Sequence, residues 1–158
     1  MIMFVCDYVV REPFRSELRI NLKKMSWDYI SGLILEIYKN GGSFIIYKTE
    51  TEYQEEYSTY SYHDIDTYSL ISDKKYGYIL GCSISNCKEY PEGTYLKLIN
   101  KDVHELDNVY IFSPYDDEYN SKFVNQDIDI ALRIFKEIFT NGCLTPELLT
   151  LFVDNSMT

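Results

Sequence analysis

Thr49–Asp66 reads TETEYQEEYSTYSYHDID. How this stretch is read decides the fold. Glu50, Glu52, Glu55, Glu56, Asp64 and Asp66 are interleaved with Tyr53, Tyr57, Tyr60 and Tyr62, and no Lys or Arg occurs between Lys48 and Lys74. Tyr53, Tyr57 and Tyr60 sit at helical spacing, but the Ser, Thr and Tyr content of Tyr57–Tyr62 favours extended backbone. The stretch is therefore expected to be a loop that becomes a strand by about Tyr60 and runs to Ile71.

Working upstream, Phe44–Tyr47 is continuously apolar, which predicts a strand covered on both faces. Before it, Trp27, Ile30, Leu33, Ile34, Ile37 and Tyr38 recur at spacings of three and four, the stripe of an amphipathic helix. Ser26 is its expected N-cap, Asp28 suits the positive end of its dipole, and Asn40-Gly41-Gly42 stops it. Trp27, the only tryptophan, reads as a core anchor. Met1–Val10 and Glu17–Lys23 read as a strand hairpin around Pro13, with Leu18, Ile20 and Leu22 on the buried side of the second strand.

Working downstream, Ser72–Lys75 predicts a turn and Tyr76–Ile84 a strand with Tyr76, Tyr78, Leu80, Cys82 and Ile84 on one face. Gly77 and Gly81 thin the other face, a mark of close approach by another segment. Tyr95–Ile99 and Val109–Phe112 are further strands, so Tyr60–Phe112 reads as an antiparallel meander. Ser113–Phe123 is expected to be a second acidic loop. A helix then follows, capped by Asn125, with Asp127 and Asp129 in its first turn and Ile128, Ala131, Leu132, Phe135, Ile138 and Phe139 buried; Asn141-Gly142 stops it. Thr145-Pro146-Glu147 opens a short last helix docked by Leu148, Leu149 and Phe152. The order predicts an α+β fold: an antiparallel, meander-like sheet with two long helices and a short C-terminal helix, in one globular domain spanning residues 1–158.

The formal net charge of −10 argues against partners that are themselves anionic, nucleic acid and membrane surfaces alike. It favours a basic protein, whose encounter it would accelerate at low salt. The apolar start MIMFVCDYVV lacks a basic flank and is broken by Asp7, so it reads as a strand rather than a signal peptide. With no apolar run near membrane-spanning length, a cytoplasmic location is expected. There Cys6, Cys82, Cys87 and Cys143 should be reduced thiols. Four residues separate Cys82 from Cys87 and no second pair completes a zinc pattern, so neither metal nor other cofactor is expected.

Catalytic signatures are missing. Gly41-Gly42 ends a helix, the wrong end for phosphate. The histidines are His63 and His104; on a strand His63 and Asp64 point to opposite faces. The chain is thus read as a binding protein and not an enzyme. A metal-assisted hydrolase using His63 or His104 with carboxylates is the alternative, and a non-toxin adaptor a third reading. The binding reading rests on the mixture of residues in the two acidic stretches, since acidity that only solvates needs no aromatics. Tyrosine supplies contact area at low entropic cost, and carboxylates can pair Lys and Arg of a basic cleft. The candidate partner-binding residues are Glu50, Glu52, Tyr53, Glu55, Glu56, Tyr57, Tyr60, Tyr62, Asp64 and Asp66, with Tyr115, Asp116, Asp117 and Glu118.

Four segments carry a family resemblance: Ser26-Trp27-Asp28-Tyr29-Ile30 opening a helix, the Phe44–Tyr47 strand, Tyr76-Gly77-Tyr78, and the closing helix from Ile128 through Asn141-Gly142. In this layout the chain resembles the small acidic immunity proteins of bacterial contact-dependent and polymorphic toxin systems. The resemblance implies a cognate toxin domain, often a nuclease, neutralised in a one-to-one complex; the acidity of the chain makes a basic domain the expected partner. It carries over no individual toxin-binding residue.

Overall fold

A computed structural model describes residues 2–54, 59–85, 92–103 and 108–154, and within these the side chains of all but residues 2, 52–54 and 59–63. Two strands, β1 (Ile2–Val10) and β2 (Arg15–Asn21), form the opening hairpin, followed by a 3-10 turn at Leu22–Lys24. Helix α1 (Trp27–Asn40) then crosses to β3 (Gly42–Gln54), which pairs with the other side of β1. From β3 the chain meanders through β4 (Thr59–Asp73), β5 (Gly77–Ile84) and β6 (Thr94–Leu98). A small hairpin of β7 (Val109–Phe112) and β8 (Asp117–Asn120) precedes helices α2 (Ile128–Asn141) and α3 (Pro146–Leu149) and the last strand, β9 (Phe152–Asp154). The seven-stranded sheet is antiparallel, in the order β2-β1-β3-β4-β5-β6-β9, and β7-β8 forms a second sheet. The fold is α+β.

One face of the large sheet is the core. Tyr8, Phe44, Leu70 and Leu80 lie in register across β1, β3, β4 and β5, and all are buried. Ile30, Leu33, Ile34 and Ile37 of α1 and Ala131, Ile134, Phe135 and Ile138 of α2 cover them. Phe135 meets Phe44 edge-on at 5.2 Å between ring centres, and Trp27 of α1 packs on Phe139 of α2 at 5.9 Å. The Ser26 hydroxyl accepts from the Tyr29 N–H at 3.1 Å, as the sequence predicts for the cap.

Residues 121–127 clasp the beginning of β5. Tyr78 and Asn125 exchange both backbone hydrogen bonds, at 2.9 and 2.8 Å. The hydroxyls of Tyr38 and Tyr78 donate to the Gln126 and Asp127 carbonyls at 2.7 and 2.6 Å. This clasp explains the glycine at position 77. Its φ is +120°, and an added Cβ would lie 2.3 Å from the Asn125 carbonyl oxygen. Gly81 leaves room for the Tyr95 hydroxyl, which a Cβ there would meet at 2.6 Å. Both glycines thus mark close approaches, as their pattern suggests.

Several sequence expectations are corrected. Asn125 does not cap α2; it is buried in the clasp, its amide donating to the Leu98 and Phe123 carbonyls, and Asp127 caps the helix through the Asp129 N–H. Leu18 is 73% exposed, because the pairing of β2 with β1 slips by one residue between Ile20 and Glu17. β3 is covered by helices on one face only: Ile45 and Tyr47 are half-buried while Phe44 and Ile46 are enclosed. β7 leaves the meander to pair with β8, inside the stretch expected to be a loop, and Phe152 lies in β9, outside the last helix.

Gly77→Ala should cost roughly 2–3 kcal/mol, since alanine meets both an unfavourable φ and a backbone carbonyl. A urea midpoint equal to the parent's would contradict the clasp. Burial pushes the hydroxyl of Tyr8 up to about 12 and those of Tyr68 and Tyr78 upward as well. Unfolded tyrosine ionises near pH 10, so these groups bind protons more tightly in the folded state. Their contribution to stability is complete below about pH 10 and is lost as pH rises above it, for Tyr8 as pH passes through about 12. Alkaline titration should show a tyrosinate step that coincides with loss of helical circular dichroism. Smooth titration of all tyrosines in folded protein would contradict their burial.

Candidate functional site

The acidic stretch is mostly strand. β3 does not end at Tyr47; it runs on to Gln54, and β4 returns from Thr59. Alternating threonines and charged residues supply the extended backbone that the charge count obscures. The two strands stay in register out to Tyr53 opposite Tyr60 and Gln54 opposite Thr59. β1 pairs with β3 only as far as Glu50, and β5 pairs with β4 only from Thr67 onward. Among the described residues, no third strand flanks Thr51–Gln54 or Thr59–His63. Among the described residues the hairpin therefore continues past its neighbours as a two-stranded ribbon.

A bulge separates the ribbon from the body of the sheet. Lys48 pairs with Asp66 but Thr49 pairs with Asp64, so Ile65 is the extra residue. Asp66 falls on the core side of the bulge. It is only 7% exposed and accepts from the Ser85 N–H at 2.9 Å and the Ser85 hydroxyl at 3.3 Å, ending β5. That bonding withdraws Asp66 from any contact surface.

Asp64 falls on the helix-free face, where the sequence conceals a built cluster. Arg19 lies at the slip in β2 with φ +52°, and its backbone N–H donates to the Asp7 carboxylate at 2.7 Å. Its guanidinium lies 4.5 Å above the centre of the Tyr47 ring and donates to Asp64 Oδ1 at 3.1 Å. The bond to Asp64 is the main reason the Arg19 guanidinium holds its proton still more firmly than usual. Burial, then the charge of Asp7, pushes the Tyr47 hydroxyl upward. The cluster links β1, β2, β3 and β4 across one face, just below the ribbon. A partner's cation would have to displace Arg19 to reach Asp64. No sequence signal points to Arg19, because the slip that lays it across the helix-free face is invisible in the alternation.

Glu50, at the root of the ribbon, is exposed. Glu52, Tyr53, Tyr60 and Tyr62 are placed in the ribbon by register, but their side chains lie outside those described. Glu55, Glu56 and Tyr57 lie outside the described residues altogether, as do His104 and the His63 side chain. Among the described residues no group of three His, Cys, Asp or Glu could hold a metal ion. No helix among them is long and apolar enough to cross a membrane.

The second acidic stretch is elsewhere. The Ser113 N–H donates to the Asp73 carboxylate at 2.9 Å, and Arg11 lies 5.3 Å above the ring of Tyr115, which is 76% exposed. Tyr115, Asp116, Asp117 and Glu118 thus sit by the end of β4, exposed, whereas the ribbon is at its beginning. Fourteen steps of strand between Thr59 and Asp73 make roughly 45 Å. The two stretches do not form one surface.

No family model matches the sequence, and no curated protein or solved structure matches the chain. What the site offers chemically is set by its own residues. Carboxylates on a two-stranded arm can accept hydrogen bonds from Lys and Arg.

The Arg19 geometry has a testable consequence. A non-glycine residue in the left-handed region costs roughly 1 kcal/mol. Arg19→Gly removes that strain while losing the half-exposed ion pair; Arg19→Ala loses the pair without relief. The glycine variant should be the more stable of the two by about 1 kcal/mol in urea unfolding. Equal stability would contradict the left-handed turn.

Proposed function

We propose that this chain is a binding protein of the immunity type, which neutralises a basic toxin domain by seating its acidic β3–β4 ribbon against it. The observation that carries the reading is that the stretch richest in carboxylates and tyrosines is paired as a ribbon that, among the described residues, runs past the strands on both sides. A paired ribbon loses less conformational freedom on binding than a loop of equal charge. Net charge of −10 supplies attraction to a basic partner over the whole approach, and the carboxylates fix register on contact. The sequence resemblance to immunity proteins points to the same class of partner, a nuclease domain whose cationic cleft ordinarily holds phosphates. Inhibition would be by occlusion, in the cytoplasm of the producing cell, without catalysis or cofactor.

The separation of the two acidic stretches sharpens the test. The partner is captured from source cells at low salt and its binding rates are measured. Glu50→Lys combined with Glu52→Lys should slow association at least tenfold. Asp116→Lys combined with Asp117→Lys, at the far end of β4, should change it less than threefold. Association should also slow steeply with added salt. Equal effects of the two double variants would overturn the placement, and an unaltered rate in both would overturn the electrostatic reading.

A further inference from the structure

The end of the molecule opposite the ribbon carries the second acidic stretch, and beside it a cluster of cations. A cavity of about 470 Å³ opens between the β1–β2 turn, the β4–β5 turn and β7, walled by Arg11, Lys74, Lys75, Tyr76, Ile111 and Ser113. An adjoining hollow of about 330 Å³ shares Lys74, Lys75 and Tyr76 and adds Lys39. Four cations thus converge on one place in a chain whose net charge is −10.

Their existing partners are weak. Lys74 reaches Glu12 at 3.4 Å, with both side chains more than half exposed. Arg11 and Lys75 lie over the rings of Tyr115 and Tyr76, at 5.3 and 5.0 Å, and pair with no carboxylate among the described residues. Rings above cations leave the outward N–H groups able to donate. The walls, in contrast, are firmly held. The buried Asp73 carboxylate, which also lines both hollows, accepts from the Lys75 N–H at 2.8 Å and the Ser113 N–H at 2.9 Å and so is fixed in the wall. Tyr76 stacks on Tyr110 at 4.7 Å, and the Arg11 N–H donates to the Gly41 carbonyl at 3.1 Å. The volume falls within the range of small-ligand sites, and the lining combines cations with an aromatic ring and an isoleucine.

The geometry points to a binding site for a small polyanion of the organic-phosphate class, independent of the ribbon and of whatever the ribbon binds. Its phosphates would meet Arg11, Lys74 and Lys75, with Lys74 exchanging Glu12 for the ligand, and Tyr76 and Ile111 would cover its less polar part. Arg11 presents two donors in a plane to phosphate oxygens, whereas the lysines act as point charges.

The test is isothermal titration of the full chain with inorganic pyrophosphate at fixed ionic strength, with sulfate as comparison. Saturable one-to-one binding is expected, at least tenfold tighter than for sulfate. Arg11→Ala combined with Lys75→Ala should weaken it at least tenfold with an unchanged melting temperature. Lys23→Ala combined with Lys136→Ala removes the same charge from exposed positions elsewhere and should weaken it less than threefold. Should the double alanine variant melt early, Arg11→Lys, which keeps the charge but loses the planar pair of donors, should still weaken binding severalfold. Equal losses in the charge-matched control, or equal non-saturating heats from sulfate, would show an adventitious ion only and overturn the site.

Discussion

The pairing of β3 with β4 is the constraint from which the rest follows. It runs from Gly42 opposite Ser72 to Gln54 opposite Thr59, interrupted by one bulge. On one side of that bulge the ladder is the middle of the core, with Phe44, Ile46, Tyr68 and Leu70 buried under the helices. On the other side the same two strands carry carboxylates and tyrosines past the last described pairs with β1 and β5. The ribbon therefore needs no core of its own. Isolated two-stranded hairpins are marginal in water, and here the hydrophobic half of the ladder anchors the polar half.

The bulge also decides which carboxylates can face outward. A one-residue slip reverses the side on which every later residue falls. Asp66 is thereby enclosed on the core side and bonded to Ser85, while Asp64 meets Arg19 on the open face. Two acids separated by one residue in sequence have different roles, set by strand pairing and not by composition. The slip in β2 at Arg19 is the matching device from the other side, since the left-handed backbone there aims both an N–H and a guanidinium at acids on neighbouring strands.

Much of the scaffold is legible in the sequence. The stripe from Trp27 to Tyr38, the cap at Ser26, the stop at Gly41 and the Thr145-Pro146 start all have local causes, and each element forms where those causes put it. Gly77 and Gly81 are legible as close approaches, though not what approaches them. The unread parts have long-range causes. β3 is longer than Tyr47 because β1 and β4 pair with it beyond its apolar run. β8 forms from Asp117–Asn120, in which all but Tyr119 have low strand propensity, because β7 lies alongside. Asn125 is drawn into the Tyr78 clasp, which leaves capping to Asp127. For the site, the acidic stretch is conspicuous in the sequence, but the burial of Asp66, the pairing of Asp64 and the distance to Tyr115 all depend on register. Sequence clustering marked a region of interest; topology divided it.

The division leaves an acidic ribbon at one end of the molecule and, at the other, the second acidic stretch beside a hollow lined by Arg11, Lys74 and Lys75. The most direct measurement of which end meets a protein partner is amide hydrogen exchange on the full chain, free and bound to the basic domain captured from source cells. Slowed exchange along Glu50–Asp64, with residues 113–118 unchanged, is the expected result. Slowed exchange at 113–118 with an unaltered ribbon would contradict the assignment of the ribbon as the contact surface.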